Sequence, residues 1–198
     1  STLKVSTPIG RITGLKVTLN ISGGYNGDLY AYLVHDSGFA ILLNRAGRTL
    51  ANPFGYGDAG FNVTLDDQAA NGDIHIYRRK PPGNDNIPLG GPLTGSWVAD
   101  GRNTDPATVT EFVLPTARLS SFDGMDANGD WTLFVADMDS GGTNLLLGWE
   151  LELTGDTILE AIPDQLAYVL MSLVVTNRVV NSNRLSGPLT FGLGAGTP

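Results

Sequence analysis

The chain has 198 residues, of which 41% are apolar, enough to bury one proper core with an appendage but not two full domains. A formal net charge of −8 with no Lys/Arg cluster excludes nucleic acid as a partner. The absence of cysteine excludes disulfides, thiolate metal sites and cysteine nucleophiles. The 26 glycines and 11 prolines, set among Val, Thr, Leu, Tyr and Trp, favour strands joined by tight turns. Sixteen of the twenty acidic residues are Asp and four are Glu, a skew that suits turns and metal-binding loops better than helix surfaces.

The chain opens at Ser1, which fits removal of a signal peptide and fits trimming equally well. Ile12, Leu15, Val17, Leu19 and Ile21 fall largely on alternate positions, which predicts a half-buried strand. A turn-rich stretch, 22–27, separates it from a second run at 28–34 with Leu29, Ala31 and Leu33 on one face. Further strands are expected over 40–43, 61–65, 74–77, 109–114, 131–136 and 146–153, and a long Pro-rich surface loop over 78–95. About eight short strands at this spacing predict an all-β antiparallel sandwich or jelly roll occupying residues 1–155.

Residues 156–198 form a C-terminal extension whose distinguishing feature is the apolar run Leu166 to Val175. At ten residues it is about half the ~20 needed to cross a bilayer, so no transmembrane segment is expected. A run apolar on both faces must be covered on both. Two readings stay open: packing onto its own domain, or donation as a strand to the sheet edge of another copy, which builds a filament because head-to-tail contacts do not close.

No G-x-S-x-G or H-E-x-x-H motif occurs, and the only histidines, His35 and His75, sit in or beside predicted strands as structural residues. No catalytic residue is therefore assigned. Calcium is the stronger chemical expectation. Asp126, Asn128 and Asp130 have the D-x-N-x-D spacing of calcium loops, Asp137 and Asp139 close the next strand, and Asp28 opens another. Turn chemistry, in which Asp and Asn satisfy nearby backbone amides, explains the same spacing.

The segment Leu119-Ser120-Ser121-Phe122-Asp123-Gly124-Met125-Asp126-Ala127-Asn128-Gly129-Asp130-Trp131-Thr132-Leu133 resembles the proprotein convertase P domain (P/Homo B). The likeness continues through Val135 to Asp139 into Gly148-Trp149-Glu150-Leu151, with weaker matches at Ile12 to Ile21, Gly27-Asp28-Leu29, Gly95-Ser96-Trp97 and Asp100-Gly101. It spans Ile9 to Gly155. The family often carries His before its G-D-L turn, where this chain has Tyr25-Asn26, so no role of that His is carried over.

The resemblance implies an eight-stranded jelly roll, secreted, that is usually attached to a subtilisin-like or other hydrolase and stabilises it or helps it recognise substrate. Without such a domain in this sequence, the expectation is an extracellular, non-catalytic structural or adhesive protein with itself as partner. The alternative is an accessory domain whose partner is a protease catalytic domain.

Overall fold

A computed structural model describes residues 1–157. Eight strands account for its order: β1 Thr2–Val5, β2 Ile9–Gly24, β3 Leu29–His35, β4 Gly38–Asn44, β5 Phe61–Leu65, β6 Leu93–Trp97, β7 Gly129–Asp137 and β8 Thr143–Thr157. They form two four-stranded sheets, β1-β7-β3-β4 and β6-β5-β2-β8. All pairings are antiparallel except β5 with β6. The chain is thus an all-β sandwich. The extension, including Leu166 to Val175, lies outside the described residues.

Alternation along β2 builds the core. Val17, Leu19 and Ile21 are buried while Thr18 and Asn20 point the other way. The register sets Leu65, Val63 and Phe61 of β5 beside these three on one side, and Leu151, Trp149 and Leu146 of β8 on the other. The opposing sheet contributes Leu29, Ala31 and Leu33 of β3, with Trp131 and Leu133 of β7. His35 stacks on the buried Trp131 ring at 4.0 Å and 5°. The outward face of the same sheet carries Tyr30, Tyr32, Phe39 and Phe134, with Tyr32 and Phe134 stacked at 4.7 Å.

β4 would be an open edge, but the chain after β6 covers it. Ile41 N–H donates to the Ala117 carbonyl, and Asp100 and Gly101 N–H donate to the carbonyls of Leu42 and Ile41. This cover buries Ile41 on what would otherwise be the solvent side.

Two expected strands are not strands. Ile74–Arg79 is a 3-10 helix, started by Asp73, whose side chain accepts from His75 N–H. Residues 109–114 hydrogen-bond in turns, Val109 to Asp105 and Val113 to Thr110, and leave Phe112 and Leu114 exposed. Their places in the sheets are taken by β1 and β6, and β6 begins inside the stretch expected to be loop.

Candidate functional site

The acidic residues read from the sequence fall into two groups at opposite ends of β7. Asp130 and Asp137 stand 137 − 130 = 7 strand steps apart, about 23 Å at 3.3 Å per step. The six therefore do not form one ligand set.

At the first end, Asp126, Asn128 and Asp130 make a self-satisfied turn. Asp126 Oδ1 accepts from Asn128 N–H at 2.9 Å and from Asn128 Nδ2 at 2.7 Å, which holds its carboxyl below the usual carboxylate range. Asn128 Oδ1 accepts from Thr7 N–H at 2.6 Å. The carbonyls of Asp126 and Asp130, which a calcium loop would turn inward, lie 2.8 and 3.1 Å from the two ring nitrogens of His35. Asp130 stands across from Lys4 on β1.

The other end does bring residues together. Asp137 closes β7 opposite Leu29, Met138 N–H donates to the Asp28 carbonyl at 2.8 Å, and Asp139 follows one residue later. Between Asp28 and Asp139 lies Arg45, which no motif in the sequence marks. Its backbone is left-handed, with φ of 52°, a conformation unfavourable for a residue with a side chain. That geometry is pinned by Arg45 N–H donating to the Leu29 carbonyl at 2.9 Å and Nε to the Gly27 carbonyl at 2.6 Å. Nη2 then reaches Asp28 at 3.4 Å and Asp139 at 3.2 Å.

Asp28 is only 4% exposed, and burial raises its carboxyl above the ordinary value against the opposing pull of Arg45. Asp139, on the surface, is held low first by the Ser140 N–H and then by Arg45. Asn144 donates from Nδ2 to Asp137 at 3.0 Å, while its buried Oδ1 accepts from nothing among the described residues.

Beside this cluster opens a groove of about 610 Å³ lined by Tyr25, Asp28, Asn52, Phe54 and Asp139. Phe54 is 63% exposed and Tyr25 is 46% exposed, both large apolar rings left in water. Tyr25 is shelved on Gly57, where an added Cβ would stand 2.7 Å from its ring. Asn52 donates to the Gly55 carbonyl at 2.7 Å, which fixes its amide with Nδ2 turned into its own loop. Among the described residues no group of three or more His, Asp or Glu side chains has a metal-holding arrangement. Calcium takes six to eight oxygens, and here a guanidinium already bridges two of the three carboxylates.

Two more polar networks tie loops to the sandwich. His75 donates to Asp100 and to the Arg48 carbonyl, and Arg102 pairs with Asp100 and Asp73. Asp58, fully buried, accepts from Tyr77, from both Nε and Nη2 of Arg78, and from Leu89 N–H. The two networks hold His75 and Tyr77 buried.

No family model, no curated protein and no solved structure matches the chain. What its geometry defines is a class, the all-β sandwich with loop clusters at both ends.

Proposed function

We propose that this chain is an extracellular structural or adhesive β-sandwich, of the P-domain type in design, that works through contact surfaces and can add copies to itself by strand donation. One observation carries the reading. β1 pairs with β7 only from Gly129 to Thr132, with a last exchange between Ser1 and Leu133, so the stretch 134–137 has a partner on one side only among the described residues. Beside it lies an open slot of about 230 Å³ lined by Leu29, Leu133, Val135 and Leu146 together with the polar Ser1, Asp137 and Asn144. A sheet edge next to a partly apolar slot is what strand addition uses, main-chain bonds giving affinity and pockets fixing register. The run Leu166 to Val175 has the composition of such a strand.

Light scattering and electron microscopy of the full chain test this. Concentration-dependent filaments, lost when Val135→Asp puts a charge in the slot, are the expected result. A chain that stays monomeric at high concentration overturns it. This reading needs no calcium: Asp126 Oδ1 accepts from Asn128, and Arg45 lies between Asp28 and Asp139.

The P-domain resemblance, whose D-x-N-x-D-W segment supplies the buried Trp131, favours a second reading as an accessory domain of a secreted hydrolase. Its test is the melting temperature of a subtilisin-like catalytic domain with and without this chain fused to it. An unchanged melting temperature removes that reading.

A further inference from the structure

The groove at the Asp139 end presents groups of one electrostatic sign. Two carboxylates, Asp28 and Asp139, line it and share one guanidinium, Arg45, so 2 − 1 leaves one negative charge. Asp28 Oδ1 meets Arg45 at a long 3.4 Å, and its Oδ2 takes no hydrogen bond from another described residue, although the side chain is buried and lines the groove. Asn52 spends its Nδ2 on its own loop and keeps Oδ1 free as an acceptor.

Tyr25 and Phe54 add two exposed aromatic rings, whose faces carry the negative lobe of the quadrupole. Carboxylate oxygens, a free amide oxygen and ring faces all attract a ligand that donates and is positive. An acidic ligand is repelled, and a neutral one gains nothing from the charge.

We propose that this groove binds an organic cation, the ammonium or guanidinium end of a Lys or Arg side chain on a basic peptide, with Tyr25 and Phe54 against its face and Asp28 and Asp139 receiving its N–H groups. Arg45 is a positioning residue here, since its left-handed backbone places the one guanidinium that keeps both carboxylates facing one gap. The site does not depend on strand addition: it lies on the loops 25–28, 52–55 and 139–141, and the slot lies between β7 and β8.

The test is an NMR titration of the isotope-labelled full chain with tri-lysine and tri-arginine. Saturable shifts are expected at the amides of Gly55, Ser140 and Gly141. Affinity should fall on the order of tenfold in the Tyr25→Ala/Phe54→Ala double variant, the scale of two exposed cation–π contacts. It should weaken in Asp139→Asn and as salt rises. The substituted side chains are at least partly exposed, so unchanged thermal melts show that the variants remain folded. No saturation by about 10 mM peptide overturns the proposal, as that marks binding weaker than millimolar. Saturation by maltotriose with no salt dependence, or by calcium at the same amides with displacement of the peptide, also overturns it.

Discussion

His75 Nδ1 lies 2.8 Å from Asp100 Oδ2 with neither side chain reaching water, and on the ring's other side Nε2 lies 3.0 Å from the Arg48 carbonyl. A carboxylate and a carbonyl both accept only, so the ring must donate from both nitrogens and is an imidazolium. Burial works against that charge, but the hydrogen bond and the charge of Asp100 outweigh it, and the pKa is raised above 6.5. The native state therefore holds this proton more tightly than the unfolded chain. The resulting stability is complete below about pH 6.5 and is lost as pH rises through the native value. Urea midpoints measured from pH 6 upward should decline in the parent and decline less in His75→Gln. Asp100→Ala, which leaves a buried cation without its anion, should lose about 3–5 kcal/mol.

Asp58 titrates in the opposite sense. Burial would raise it, yet Arg78, Tyr77 and Leu89 N–H together bring it below 3.8. Its stabilisation is present above about pH 3.8 and disappears as pH falls through the lower native value. Asp58→Asn should flatten the acid limb of the stability curve. Because Asp58 ties Leu89 and Arg78 to the sandwich, limited proteolysis of that variant should cut between Lys80 and Pro92 faster than in the parent.

Trp131 is fully buried, stacks on His35, tilts against Phe122 at 5.0 Å and donates from Nε1 to the Ala127 carbonyl at 3.0 Å. Trp131→Ala should cost about 3–5 kcal/mol through the cavity it leaves. Calorimetry should show the whole transition shifting as one, since both sheets meet this ring's neighbours.

Gly47 combines φ of +78° with the Tyr56 ring lying where a Cβ would go. Gly47→Ala should therefore destabilise by more than the ~1 kcal/mol of the conformational term alone, because the ring must also shift. The loss should shrink in a Tyr56→Leu background, which a double-mutant cycle measures.

The strands with strict alternation were legible because burial of one face imposes a period of two: β2, β3, β7 and β8 fall where Leu15 to Ile21, Leu29 to Leu33, Trp131 to Val135 and Trp149 to Leu153 predict them. Leu147, expected in the same core row, is 56% exposed, because a bulge opposite Asn20 and Ile21 turns Leu146 inward instead. Where apolar residues serve other ends, period misleads. Ile74 and Tyr77 are both buried from two short 3-10 turns that kink at Ile76, and Asp73 as the cap was the available signal. Phe112 and Leu114 looked like strand but stand in water. β1 has four residues, too few to display a period, and β6 follows Pro92 directly and carries Gly95 at its centre, both of which read as turn signals.

The site divides in the same way. Asp137, Asp139 and Asp28 were found by type, and strand pairing does gather them. Arg45, Tyr25 and Phe54 were not, because only tertiary packing brings loops so distant in sequence to one groove. The Asp126 turn obeyed the local chemistry that its spacing equally allowed.

The long pairing of β2 with β8 joins residues far apart in the chain, from Gly24 with Thr143 (143 − 24 = 119 positions) to Ile9 with Thr157 (157 − 9 = 148 positions). Until β8 has left the ribosome, β2 has only short β5 beside it and its apolar face stands open. Closure must therefore wait for the last strand of the sandwich, and such distant contacts fold slowly. During synthesis that open apolar face is a surface for chaperones until the last of these strands arrives.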